Sequence, residues 1–175
     1  LCYKEADVLI HLGMYSLNKY KKIYPESKHV LVYHPLFRNF NFLLTKENVR
    51  DNLKIKDNVF FITSPGAIRS KQEFDMVIDI FNQIKIKNKR LFFPRLAFLP
   101  KPYKLASWVD FKSLVYYYLF YFYYRVYKKV FWKHGYMSAD ELSEFFTASD
   151  LIILPRKDIL NSGNVILGSQ FNRLI

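Results

Sequence analysis

Apolar and polar positions along the chain alternate between two rhythms, and each change of rhythm marks an element. Short unbroken apolar runs at residues 6–11, 28–33, 59–63, 90–93 and 150–155 predict buried strands. Pro35 and Pro94 stop two of them, since proline cannot donate to a sheet ladder. Between the runs lie helical patterns. Residues 17–24 are polar and basic. Phe74, Val77, Ile78, Phe81 and Ile84 recur at the helical spacing of three and four. Ser138-Ala139-Asp140-Glu141 is a capping box that opens a helix through Ala148. Asn161-Ser162-Gly163 leads into a last apolar helix over residues 165–171. Strands alternating with helices predict an α/β fold with a Rossmann-like parallel sheet. Ligands of such sheets bind beyond the carboxyl ends of the strands. Here those ends are residues 64–69 and 155–163.

The same pattern divides the chain. Residues 1–36 read as the end of one α/β domain. Residues 37–56 are mixed and polar, a linker with room for a short helix, and residues 57–175 form a second α/β domain. Residues 101–133 interrupt that domain as a basic, aromatic-rich helical insertion, with residues 111–132 about half aromatic. The uncharged run 113–124 is too short to span a bilayer, which takes about 20 apolar residues. Arg125, Lys128, Lys129 and Lys133 follow it, and the only acid between residues 101 and 133 is Asp110. Tyr and Trp favour membrane interfaces, and cations draw a helix to an anionic leaflet. The segment is therefore expected to lie on a membrane surface, with Tyr121, Arg125, Lys128, Lys129 and Trp132 facing it. The alternative is an aromatic helix packed on the sheet or against another domain.

Composition narrows the function. Hydrophobic residues make up 51% and charged residues 24%, a globular balance. Lys and Arg number 27 against 15 Asp and Glu, a net charge of +12 that favours an anionic partner. One cysteine, Cys2, excludes an internal disulfide framework and a Cys-rich zinc site. No basic segment leads into an apolar core at the start, so no signal peptide is expected. The chain opens at Leu1 without a Met and stops at Ile175 in an apolar stretch, so a fragment is expected. Five glycines in all form neither a dinucleotide fingerprint nor a P-loop, and no HExxH occurs. His11, His29, His34 and His134 are scattered, and no metal site is expected.

Two loops can hold an anion. In Gly66-Ala67-Ile68-Arg69-Ser70-Lys71, Gly66 permits a tight turn, the helix start offers N–H groups, Arg69 supplies a planar fork and Lys71 a point charge. In Asn161-Ser162-Gly163-Asn164-Val165 a small-residue turn exposes free amides, and Ser162 adds a hydroxyl. Each alone is also an ordinary helix start, with surface cations in the first case and an N-cap in the second. Together, on neighbouring strand ends, they suit a diphosphate.

The order of these segments resembles the carboxy-terminal domain of a GT-B glycosyltransferase of the family 4 type. The matching text is Gly66-Ala67-Ile68-Arg69, then residues 141–155 with Ala148-Ser149-Asp150 running to Pro155, then residues 161–168 with Ser162-Gly163. Residues 7–37 resemble the end of that family's amino-terminal domain and the crossing into the linker. The resemblance implies an enzyme that uses a nucleotide-diphosphate sugar, UDP- or GDP-linked, with no metal and no further cofactor. It implies that Arg69 contacts the donor diphosphate and that Ser162, Gly163, Asn164 and Val165 hold its phosphates. The family's lysine falls at Gln72, so Lys71 is the neighbouring cation offered in its place. The family's E-x7-E pair is missing, its positions reading near Leu160 and Gly168. The acceptor histidine of many relatives lies upstream of Leu1, and His11 and His34 read as structural strand-end residues. No catalytic residue is assigned.

The resulting expectation is a glycosyltransferase of surface polysaccharide synthesis, cytoplasmic and peripheral on the inner membrane face, acting on a glycan or lipid-linked acceptor. The alternatives are an inactive glycosyltransferase fragment and a basic nucleic-acid-binding α/β domain. The latter lacks an RNA-recognition or helix-turn-helix signature.

Overall fold

All five apolar runs supply strands in the computed structural model, which describes residues 5–99, 108–133, 135–155 and 163–175. β1 (Val8–His11) and β2 (Lys28–Leu31) pair in parallel across α1 (Met14–Ile23). α2 (Lys46–Asn52) is the short helix of the linker. A four-stranded parallel sheet then forms from β3 (Phe60–Thr63), β5 (Lys89–Phe93), β7 (Val130–Trp132) and β8 (Leu151–Ile152), in the order β7-β5-β3-β8. β4 (Ala67–Ile68) and β6 (Arg95–Leu96) make a small parallel pair beyond it, which the apolar pattern is too short to reveal. The crossovers are α3 (Lys71–Gln83), α4 (Trp108–Tyr121) with a π-helical extension (Phe122–Tyr127), and α5 (Ala139–Ala148). α6 (Gly163–Gln170) follows β8. After it, Leu174 bridges in parallel to Leu151 on the free edge of β8.

Strand alternation sorts the core into two faces. Ile62, Leu91, Phe93, Val130 and Trp132 point to the side covered by α3 and α4, where they meet Phe74, Val77, Phe81 and Phe120. Phe61 and Phe92 point to the other side, against Val49 of α2 and Ala148 of α5, with Phe145 stacked on Phe92 at 3.8 Å. α6 joins that second side, where Leu167 and Phe171 pack on Phe146 and Ile152. Ser138 caps α5 as expected: its hydroxyl accepts from Glu141 N–H at 3.1 Å, and the Glu141 carboxylate accepts from Ser138 N–H at 3.0 Å.

The aromatic segment departs from its reading as an insertion. Residues 130–132 are a strand of the sheet, paired with β5, so the helix before them is the β5–β7 crossover. Trp132 is correspondingly buried, 5% exposed, and is removed from the membrane-facing set. The parallel register places Trp132 opposite Phe93 on the α3–α4 side, where its ring meets Phe120 at 5.7 Å and Tyr121 at 5.5 Å. Tyr121 is half-buried for the same reason. No helix among the described residues is long and apolar enough to cross a membrane.

Candidate functional site

Strand order reverses between β3 and β8. The chain leaves β3 towards β5 and β7 on one side, while β8 and Leu174 extend the other. Such a point opens a crevice at the carboxyl ends of its two strands. The loop after β3 and the start of α6 both stand there.

The floor is polar and tightly held. Ser149 Oγ donates to the Phe145 carbonyl at 2.7 Å, which leaves it to accept from Thr63 Oγ1 at 2.6 Å. Thr63 and Ser149 are fully buried. One residue on, Ser64 is also fully buried, and its hydroxyl has no partner among the described residues. A buried hydroxyl left unpaired costs free energy, so a spare donor at a strand end is notable. Pro65 and Gly66 then turn the chain. Gly66 has φ 86°, a conformation that favours glycine.

The two expected cradles differ. At the start of α3, Ser70 Oγ accepts from Glu73 N–H at 3.2 Å, and Glu73 Oε2 accepts from Arg69 N–H at 2.7 Å. A carboxylate of the chain's own already sits at this positive helix end. This corrects the expectation that the α3 amides face a ligand. The Arg69 side chain remains exposed beside the turn. Lys71 is engaged elsewhere: its ammonium pairs with Asp75 at 2.6 Å, which raises its pKa, and it lies within electrostatic range of Tyr116 and Tyr124 of the α4 segment. The Lys71 ammonium is thus engaged by an acid of its own helix.

α6 offers the second expected cradle. Its first turn carries no acid, and Gly163, Asn164 and Val165 form it. Ser162 and Asn161 lie outside the described residues, as does Leu160. Gly163 is pressed by the segment after β2: a Cβ there would meet His34 Nε2 at 3.0 Å and Phe37 Cζ at 3.2 Å. His34 Nδ1 donates to the Pro35 carbonyl at 2.9 Å, which leaves Nε2 as the ring nitrogen beside the helix start. Gln170 fixes this contact, with Oε1 accepting from Phe37 N–H at 2.9 Å and Nε2 donating to Phe37 O at 3.2 Å. The strand-end reading of His34 misses this contact, because its spacing to residue 163 is legible only in the fold. Gly168 is also buried, its place for a Cβ 3.2 Å from Ile152 Cδ1 and Ile175 Cδ1, so any side chain there has to displace these two methyls.

The linker is clamped to the base of β8. Asp150 Oδ2 accepts from Arg50 Nη2 at 2.5 Å and from Phe61 N–H at 2.8 Å, and its other oxygen pairs with Lys46. Arg50 Nε also donates to the Ala148 carbonyl at 3.1 Å. Burial pushes the Asp150 carboxyl up, but the bonds from Lys46 and Phe61 N–H and the charge of Arg50 more than offset this and hold it below its ordinary value. No cluster of three or more metal-binding side chains occurs among the described residues.

No protein-family model matches the chain, and no curated protein sequence matches it. Among solved structures, sucrose-phosphate synthase from Thermosynechococcus elongatus superposes with a TM-score of 0.68 at 13% identity, over 97% of this chain. The chain has the GT-B fold. The match spans 40% of that synthase, so the chain is less than half its length. At this identity the likeness speaks for the fold alone.

Proposed function

We propose that the protein is a glycosyltransferase that binds a UDP- or GDP-linked sugar at the α6 start and transfers the sugar to a glycan or lipid-linked acceptor. What supports this reading is the placement of both loops after strands that flank the β3–β8 reversal: the Gly66 turn with its exposed Arg69 follows β3, and the acid-free start of α6 follows β8. Amides of Gly163, Asn164 and Val165 would hold the diphosphate, with Ser162 beside them. Arg69 would approach it from the Gly66 turn. Fixed donors at that point stabilise the charge that grows on the leaving diphosphate as the sugar bond breaks, which is the main catalytic term available here. The acceptor would approach past His34. Surface polysaccharide synthesis, on the inner membrane face of the cytoplasm, is the setting that suits a lipid-linked acceptor.

A second reading is supported by Gly168. A buried glycine at the place of the family's second glutamate favours a chain that binds nucleotide without turning it over. Thermal shift with UDP, GDP, ADP and CMP tests binding, with Arg69→Ala alongside. A rise in melting temperature from one nucleoside diphosphate, lost in Arg69→Ala, is the expected result. No shift from any nucleotide on the folded chain would refute both readings. Release of nucleoside diphosphate from a nucleotide sugar then separates the active enzyme from the inactive one.

A further inference from the structure

The outward face of α4 and its π extension is apolar along its whole described length. Val115, Tyr118, Leu119, Phe122 and Val126 recur at the helical interval and are 43–66% exposed. The opposite face is spent on the fold: Tyr117 and Phe120 are buried, and Tyr124 meets Phe74 edge-on at 4.9 Å. The stripe is thus what remains after the helix has been packed.

Cations gather at its foot. Arg125 turns inward over the Tyr121 ring at 5.0 Å, leaving Lys128 and Lys129 at the turn into β7. Lys129 is exposed and has φ 58°, a left-handed conformation that glycine would adopt at less cost. The turn before β5 brings Lys85 and Lys87, both exposed, to the same edge of the parallel sheet. Lys112 flanks the upper end, and residues 111–133 contain no acid.

We infer that this face docks on an anionic lipid bilayer, with the apolar stripe in the headgroup–acyl boundary and the lysines on the phosphates. The inference deepens the peripheral placement proposed above and is independent of nucleotide binding. A helix lying in the interface plane sinks its exposed apolar side about 5–10 Å. Charge selects the occupant: a second copy carrying the same +12 is repelled, whereas an anionic leaflet is attracted. Shape argues against nucleic acid. Val115, Leu119 and Val126 break the stripe with branched side chains that offer no ring for a base to stack on.

Vesicle flotation of the whole chain tests this. The probes are phosphatidylcholine vesicles and vesicles mixed with phosphatidylglycerol. The wild type is expected to float with the mixed vesicles and far less with phosphatidylcholine alone. Leu119→Ser with Phe122→Ser should abolish flotation while leaving circular dichroism and melting unchanged, since both side chains face out. Lys128→Gln with Lys129→Gln should weaken partitioning about 25-fold, roughly fivefold per cation. Unchanged flotation of the serine pair would overturn the proposal. So would a wild-type dimer that the serine pair dissolves, or stripe-dependent RNA binding without flotation. Thermal shifts with nucleoside diphosphates should be the same in all these variants, so loss of docking is distinguishable from loss of the donor site.

Discussion

Replacing Asp150 by Asn removes one charge from the clamp between the linker helix and β8 and changes little else in shape. The amide oxygen can still accept from Phe61 N–H, so the substitution isolates the ion pair. The Arg50 side chain is 6% exposed and that of Asp150 19%. Removing one partner of a buried pair costs about 3–5 kcal/mol, because the other charge stays buried. Two facts lower this value. Asp150 keeps some contact with water, and Arg50 retains the carbonyls of Ala148 at 3.1 Å and Asp57 at 3.4 Å. The expected loss is therefore about 2–4 kcal/mol. For a chain of this length that lowers the melting temperature by about 6–12 °C in the middle of the range. Arg50→Met added to Asp150→Asn should recover part of the loss, since an apolar side chain leaves no buried charge.

Urea unfolding of the four proteins in this cycle, followed by circular dichroism, measures the coupling. The sign with pH is fixed. The carboxyl is depressed in the folded state, so its stabilisation is present above the unfolded value of about 3.9 and is lost as pH falls through the lower folded value. The gap between wild type and Asp150→Asn should thus be full at neutral pH and close in acid. An Asp150→Asn change within about 0.5 kcal/mol of wild type, additive with Arg50→Met, would refute the clamp. A gap that persists unchanged into strong acid would refute its ionic nature.

Two further outcomes follow from other contacts. Gly163→Ala should lose about 1 kcal/mol, because the new methyl falls 3.0 Å from His34 Nε2 and 3.2 Å from Phe37 Cζ. Adding His34→Ala should relieve it, and equal losses in both backgrounds would show that the imidazole does not press on the helix start. His11 is buried and bonds His29 at 2.8 Å, and burial first, then the His29 charge, lowers its pKa. Its contribution is present above about pH 6.5 and lost as pH falls towards the lowered value, so His11→Phe should flatten the urea midpoint over that window. A wild-type midpoint level through the same window would count against it.

The sheet was legible because apolar runs and turns report burial directly. Residues 59–63 and 90–93 became β3 and β5, and the capping box at Ser138 formed with both bonds. β7 escaped detection because its three residues sit at the end of a longer aromatic stretch, where no change of period separates strand from helix. The closed end of α3 escaped for another reason. Glu73 follows Ser70 at the capping spacing, yet whether its carboxylate would turn to the helix or to solvent is a matter of geometry. The position of His34 against Gly163 depends on a contact across 129 positions of the numbering, which no local pattern encodes.

These distinctions change what the family-like text is worth. Asp150, the acid within its strongest stretch, is spent on Arg50, Lys46 and Phe61 N–H. Ser149 binds Thr63, and Pro155 is buried. Those residues hold β8 beside β3 and the linker beside both, which is a reason for a fold to keep them whatever it binds. The proposed chemistry rests on fewer groups: the Arg69 side chain, the Ser64 hydroxyl, which has no partner among the described residues, and the acid-free start of α6. None of the three is used in packing the sheet. A binding assay that varies Arg69 and leaves Asp150 intact therefore interrogates function, whereas one that varies Asp150 interrogates the scaffold.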